Sequence, residues 1–156
     1  MLRTAIIPIL ALFAFATAQG PVAANGKLVV GQKTVKRGAV AKANLVLEVP
    51  AGHHAYAPVE ENSDYIVVSV APVAGAPYQV KPTYPKGTSK KYPGMDHAVL
   101  AYEGKVSIPV SFAVPANAKP GKLTVKAVVT SQVCSNQTGV CYPPRKQMVT
   151  GTVTVQ

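Results

Sequence analysis

The chain has 156 residues, of which 48% are hydrophobic and 14% are charged, so its composition suits one globular domain and is unlike that of a disordered chain. Lys and Arg number 16 against 6 Asp and Glu, but the basic residues are scattered, and the largest basic cluster is Lys90 with Lys91. The sequence therefore does not indicate nucleic-acid binding, which needs a concentrated basic surface.

Residues 1–18 have the three parts of a secretory signal peptide. A short positive stretch precedes an apolar run, and an A-x-A cleavage site at residues 16–18 precedes Gln19. The apolar run is shorter than the ~20 residues that span a bilayer, and no later stretch reaches that length. We therefore expect a mature domain, residues 19–156, that is exported to the periplasm or the extracellular space as a soluble monomer without a membrane span.

After the signal peptide, apolar and polar residues alternate with a period of two, and Gly and Pro interrupt the pattern. The strand candidates are 27–30, 43–49, 65–70, 78–81, 98–102, 106–112, 123–129 and 148–155. No stretch sustains a 3.6-residue period. The sequence therefore predicts an all-β fold, a single antiparallel β-sandwich. Residues 81–96, rich in Pro, Gly and Lys, are too long for a tight hairpin and more typical of a functional loop.

The two cysteines, Cys134 and Cys141, are separated by six residues. An exported chain with two cysteines is expected to form a disulfide. This bond would close a small loop across a hairpin and would stabilise the fold by roughly 2 to 3 kcal/mol. Spacing alone leaves two interpretations open: a structural staple, or a disulfide with reachable sulfurs that takes part in thiol–disulfide exchange.

Cys141 is followed by Tyr142-Pro143-Pro144, and this sequence resembles the active-site hairpin of the N-terminal periplasmic domain of the thiol:disulfide interchange protein DsbD. Two upstream segments are similar to that family in order and spacing, residues 50–57 (PAGHHAYA) and residues 102–110 (YEGKVSIPV). The resemblance spans about residues 27–155. His53 stands where the family usually has an aromatic, and the cysteine spacing is one residue longer than in the best-known members.

The resemblance implies an immunoglobulin-like β-sandwich with a redox-active hairpin. Such a domain would be one component of a thiol:disulfide oxidoreductase system. It would take electrons from a membrane-embedded reductase or a thioredoxin-like domain and pass them to oxidised envelope proteins. The family's transmembrane and thioredoxin-like domains are missing here, so the chain would be a free-standing version.

The family also implies roles for individual residues. Cys141 would form the mixed disulfide with a partner and Cys134 would resolve it, while Tyr142 and Pro143 would contact the partner. The nearby Arg145 could favour the thiolate electrostatically.

By position, residues 90–96, here called the cap segment, correspond to the family's cap loop, which folds an aromatic over the disulfide. Tyr92 is the first candidate for this shield and Met95 the second. The alternative for Tyr92 is an ordinary loop aromatic, because the family's acidic and aromatic cap sequence is not reproduced.

A second class of function stays open, an exported binding or scaffold domain with a structural disulfide. His53, His54, His97 and Met95 are ligand types that suit copper. Their spacing gives no closed ligand set, and adjacent histidines on a strand point to opposite faces. We therefore predict neither a metal nor another cofactor, and we expect Tyr56 to pack in the sandwich.

Overall fold

The computed structural model describes residues 22–156, so the signal peptide predicted at residues 1–18 lies outside the described part. The described residues form twelve strands and one 3-10 turn at Glu60–Asn62. Strands β1 to β12 are Asn25–Val30, Thr34–Val35, Val40–Glu48, His53–Tyr56, Ser69–Pro72, Gln79–Pro82, Thr88–Lys90, Val99–Tyr102, Lys105–Ala113, Gly121–Ser131, Cys134–Ser135 and Arg145–Val155. The prediction of an all-β fold is confirmed.

The strands form three sheets of four. The first sheet has the order β1-β3-β9-β6, the second β2-β12-β10-β5 and the third β11-β4-β8-β7. Neighbouring strands are antiparallel except for β2, which runs parallel to β12. The first two sheets supply most of the main hydrophobic core, so these two sheets are the layers of the sandwich.

The alternating sequence places apolar side chains inside. In β3, Leu45 and Leu47 are buried and alternate with more exposed residues, and in β10 Val125 and Val129 follow the same rule. A strand with this pattern can bury only one face, so each sheet turns its apolar side to the other.

The third sheet continues both layers at one end of the sandwich. Strand β4 follows β3 after four residues, β8 leads into β9, and β11 follows β10. The β4 to β8 pairing therefore joins two extensions of the first sheet, and the β4 to β11 pairing connects them to an extension of the second sheet. This small sheet carries the cysteine hairpin, so the end of the sandwich is where the candidate site is built.

Successive residues of the third sheet face two different apolar clusters. Ala55 and Tyr102 belong to the main core, whereas Tyr56 and Ala101 belong to a second cluster. The second cluster, here called the site cluster, consists of Tyr56, Tyr92, Val99, Ala101 and Cys134. One face of the small sheet thus completes the sandwich, and the other face supports the site.

Tyrosine hydroxyls satisfy backbone groups where strand pairing stops. The hydroxyl of Tyr78 accepts a hydrogen bond from the Lys126 amide at 2.6 Å and donates to the Lys126 carbonyl at 3.2 Å. Strand β5 pairs with β10 only over Ala127–Thr130, so Tyr78 serves the edge of β10 just beyond β5. Buried backbone groups need such partners.

The strands differ from the sequence prediction in several places, and the short strands β2, β4, β7 and β11 have no predicted counterpart. The strand predicted at 65–70 is found at Ser69–Pro72, and residues 65–68 make only an isolated bridge, Val67 with Tyr56. Within residues 81–96 the structure adds a short edge strand, β7, whose three residues are all exposed. Nowhere in residues 22–156 is there a helix with the length and apolarity needed to span a membrane.

Candidate functional site

The cysteines lie on a tight hairpin that begins with β11. Cys134 and Cys141 form a disulfide and face each other across an isolated antiparallel bridge. The amide of Ser135 donates to the Val140 carbonyl, and the amide of Gly139 donates to the Ser135 carbonyl, both at 2.9 Å. Gly139 has φ of 72°, a left-handed conformation that favours glycine. The predicted disulfide across a hairpin is therefore present.

Gly139 also allows the hairpin to touch the cap segment. A Cβ atom at this position would collide with the carbonyl oxygen of Pro93. The backbones of the hairpin and the cap segment are thus in direct contact here, and any side chain at position 139 would push them apart.

The two sulfur-bearing residues have opposite environments. Cys134 is 0% exposed and belongs to the site cluster, whereas Cys141 is exposed. Cys141 lines an open cleft of about 540 Å³ between the hairpin, the cap segment and residues 64–66. An attacking group can therefore approach the disulfide from the Cys141 side.

The two shield candidates have different surroundings. Tyr92 is buried and packs with Cys134 in the site cluster. Met95 packs at the edge of that cluster and lines the cleft beside Cys141, together with Pro93 and Gly94.

Aromatic rings form a stack behind the disulfide. The His54 ring lies flat on the Tyr92 ring, with centroids 3.5 Å apart and planes 6° apart. The Tyr56 ring meets His54 edge to face at 5.2 Å and stacks on Tyr65 at 4.4 Å. The Tyr56 hydroxyl lies 3.8 Å from the Cys141 sulfur. Tyr56 is buried as expected, but in the site cluster and next to the exposed sulfur rather than in the main core.

A chain of polar side chains connects the cap segment to the hairpin. Glu103 Oε1 accepts hydrogen bonds from the Tyr92 hydroxyl at 2.9 Å and from Asn136 Nδ2 at 3.1 Å. Lys90 forms an ion pair with Glu103 Oε2. Asn136 Oδ1 then faces His54 Nδ1 at 2.8 Å. Because the amide nitrogen of Asn136 already donates to Glu103, its oxygen must accept, so His54 carries its proton on Nδ1.

The remaining nitrogen of His54 is isolated. His54 Nε2 is buried and has no hydrogen-bond partner among the described residues. Burial lowers the pKa of His54 from its ordinary 6.5, and the hydrogen bond with Asn136 and the charge of Glu103 only partly oppose this effect. The imidazole is therefore neutral at neutral pH.

The tyrosines and Glu103 have complementary protonation states. Burial raises the pKa of Tyr56, and burial together with the hydrogen bond to Glu103 raises the pKa of Tyr92. The Lys90 hydrogen bond, followed by those from Tyr92 and Asn136, holds the pKa of Glu103 below its usual range. At neutral pH Glu103 is thus a carboxylate that contacts neutral aromatic side chains.

The predicted partner-binding residues follow the exposed cysteine. Tyr142 is half-buried, with its amide bonded to the Val133 carbonyl at 2.8 Å and its ring 5.7 Å from that of His53. Pro143 is exposed, and so is Arg145, the first residue of β12.

The histidines do not converge. His54 is buried, whereas His53 bonds the Ala51 carbonyl and His97 is exposed. Among residues 22–156 no group of three or more His, Cys, Asp or Glu is placed to hold a metal ion.

Sequence reasoning gave Glu103 and Asn136 no role, and it considered His54 only as a type of metal ligand and Tyr56 only as a residue of the sandwich core. The signal that could have found them is the strand period. Once β4 and β8 are recognised, residues of equal parity share a face, which groups His54 with Tyr56 and Ala101 with Glu103.

Comparison with known proteins agrees with this geometry. The family described as "Thiol:disulfide interchange protein DsbD, N-terminal" matches residues 27–152. No curated protein matches the chain. Among solved structures, the N-terminal periplasmic domain of ScsB from Proteus mirabilis is 13% identical with a TM-score of 0.50, over 80% of this chain and 43% of that one. The chain thus spans less than half the length of that structure.

A family 123 glycoside hydrolase from Clostridium perfringens is 11% identical with a TM-score of 0.34, over 83% of this chain and 27% of that one. The likeness to the ScsB domain is one of fold. The hydrolase is too distant in structure to bear on the site.

The environment of His54 predicts that the protein loses stability as the pH is lowered through a defined range. Because its pKa is lower in the folded state than the unfolded 6.5, the unfolded chain binds more protons as the pH falls below about 6.5, and stability is lost there. His54→Phe keeps a ring on Tyr92 but cannot titrate. We expect its urea unfolding free energy to be about 1 kcal/mol lower at pH 7.5, because Asn136 loses a hydrogen bond, and to fall less between pH 7.5 and 5.5.

The exposed His97 provides the control, since His97→Gln should retain the wild-type pH profile. The other titratable groups that influence His54 are Glu103, His53 and Lys90, and all three are kept in both variants. Parallel profiles for wild type and His54→Phe would contradict this assignment.

Proposed function

Because the chain belongs to the family of the N-terminal domain of the thiol:disulfide interchange protein DsbD, a family of thiol–disulfide exchange domains, we propose that it relays electrons through the Cys134–Cys141 pair. The donor would be a membrane-embedded reductase or a thioredoxin-like domain, and the acceptors would be oxidised envelope proteins. The observation that carries this proposal is the asymmetry of the disulfide: Cys141 lines an open cleft, and Cys134 is fully buried.

This asymmetry favours Cys141 over Cys134 as the sulfur that is attacked in the first step. A partner thiolate attacks the sulfur of Cys141, the bond between the two cysteines breaks, and Cys134 leaves as a thiolate that takes up a proton. The partner's second thiolate then attacks the sulfur of the partner's first cysteine in the mixed disulfide, and Cys141 is released as a thiolate. The domain has gained two electrons and the partner has become a disulfide. The same steps in reverse reduce an oxidised acceptor.

The surroundings of Cys141 suit a protein partner. Val140 is 64% exposed although apolar, Ile66 at the opposite side of the cleft is also exposed, and Pro143 follows Cys141. Apolar surface around a reactive atom is typical of protein docking sites. Tyr142 and Pro143 would contact the partner, and the domain would act as a monomer between encounters.

The compartment follows from the same proposal. Residues 1–18 have the pattern of a signal peptide, and the structural neighbour is described as a periplasmic domain. Export to the periplasm or the extracellular space keeps the chain where disulfide relays operate.

The reduction potential of the disulfide separates exchange from a structural role. We expect a value between about −120 and −270 mV, the range of exchange catalysts, whereas structural disulfides lie below about −300 mV. Equilibration of the pure domain with defined ratios of reduced and oxidised glutathione or dithiothreitol, followed by alkylation and mass analysis, gives this number. A potential below about −300 mV would favour the alternative, a binding or scaffold domain with a stapled hairpin.

Single-cysteine variants test the roles of the two sulfurs. In Cys134→Ser the exposed Cys141 remains, and its mixed disulfide with a thioredoxin-like protein should accumulate because the resolving thiol is absent. Cys141→Ser keeps only the buried Cys134 and should trap far less. Both variants should fold, since closure of this short loop contributes only roughly 2 to 3 kcal/mol. Non-reducing electrophoresis measures the trapped complex, and dithiothreitol must release it. Equal trapping by both variants would overturn the assignment.

We further propose that the two shield candidates divide the work, Tyr92 covering Cys134 and Met95 narrowing the cleft at Cys141. Tyr92→Ala and Met95→Ala should each speed reduction of the disulfide by dithiothreitol, because the exchange rate depends on access to sulfur. Stopped reactions quantified by mass spectrometry give the rates. The exposed Met148 lies outside the cleft, so Met148→Ala is the control. Rates equal to wild type in both variants would exclude a cap at these positions.

A further inference from the structure

We propose that Glu103 is a positioning residue for the exchange reaction, which restricts attack to Cys141 by holding Tyr92 closed over Cys134. This inference rests on the proposed function. It concerns a residue outside the cysteine hairpin and outside the cap segment, in the turn between β8 and β9.

The Glu103 carboxylate connects its own turn to two other pieces of chain, the cap segment and the cysteine hairpin. Its Oε1 atom accepts from Tyr92 in the cap segment and from Asn136 in the cysteine hairpin, at 2.9 and 3.1 Å. Its Oε2 atom pairs with Lys90, which ends β7 and begins the cap segment. Hydrogen bonds to a charged group are stronger than neutral ones, so Glu103 is the strongest fixed point that the described contacts give Tyr92.

The contacts close into a ring that includes the cover over Cys134. Tyr92 donates to Glu103, Asn136 donates to Glu103, and His54 donates to Asn136. The His54 ring then lies against Tyr92 at 3.5 Å and completes the ring. Each member is held by two others, so the Tyr92 ring cannot swing away from Cys134 unless it breaks both its stack and its bond to Glu103.

Opening this ring would expose the wrong sulfur. In the closed arrangement Cys134 is 0% exposed and Cys141 is reachable from the cleft. Tyr92 belongs with Cys134 to the site cluster and is not among the residues that line the cleft at Cys141. Loss of the Glu103 carboxylate should therefore raise the reactivity of position 134 and leave position 141 unchanged. A residue that only stabilised the domain would alter both positions together.

The test measures iodoacetamide alkylation of single thiols, in which the thiolate sulfur displaces iodide from carbon. In the Cys141→Ser background, Glu103→Ala should raise the alkylation rate of Cys134 roughly tenfold, the change expected for one lost hydrogen bond to a charged group. In the Cys134→Ser background the same substitution should change the rate of Cys141 by less than about twofold. Glu103→Gln, which keeps an acceptor oxygen but loses the charge, should fall between Glu103→Ala and the parent.

Two further variants identify the route of the effect. Tyr92→Phe removes only the hydroxyl, so it should raise the Cys134 rate in the same direction, and adding it to Glu103→Ala should give no further increase. Glu48→Ala, at an exposed position at the end of β3, is the matched control and should change neither rate.

An unchanged Cys134 rate in Glu103→Ala would overturn the proposal, and so would an equal rise at both positions. The assay involves no partner protein, so its failure leaves the relay proposal standing. The relay proposal is tested separately by the reduction potential, because a value below about −300 mV would indicate a structural disulfide whatever the alkylation rates are.

Discussion

The two-residue repeat of the small third sheet is the constraint on which the site depends. Strands β4 and β8 send alternate residues to the main core and to the site cluster, so Ala55 and Tyr102 stabilise the sandwich while Tyr56 and Ala101 lie under the disulfide. The antiparallel pairing of Cys134 with His54 then fixes which face the hairpin presents. A register shift of one residue would send Cys134 to the opposite face of that sheet.

The polar groups of this face are satisfied largely by one another. Asn136 uses both ends of its amide, and Glu103 accepts from Tyr92 and Asn136 while it pairs with Lys90. Nearby, the buried Asn62 donates to the carbonyls of Ala57 and Leu100 and thereby attaches the 3-10 turn to β8. Such networks fix one arrangement because an unpaired buried polar group is costly. Among the buried side-chain nitrogen and oxygen atoms of the described residues, only His54 Nε2 and Asn62 Oδ1 have no hydrogen-bond partner.

The sequence predicted the long strands well because their alternation is unbroken, as in β3, β9 and β10. It missed β2, β4, β7 and β11, which are too short to show a period, and it placed a strand at 65–70, where Tyr65 instead stacks on Tyr56. The disulfide followed from the cysteine count. The hydrogen bond between Glu103 and Asn136 could not be predicted, because it joins positions 33 residues apart with no local pattern between them.

The separation of the two apolar clusters has a consequence for how such a domain evolves. Among residues 22–156 no buried residue belongs to both the main core and the site cluster. Substitutions that adapt the site to a new partner can therefore accumulate on one face of the small sheet while the sandwich keeps its packing. In this architecture a change of binding specificity therefore costs the fold less stability than it would if one core served both purposes. Very low sequence identity among domains that share the fold is the outcome that such tolerance permits.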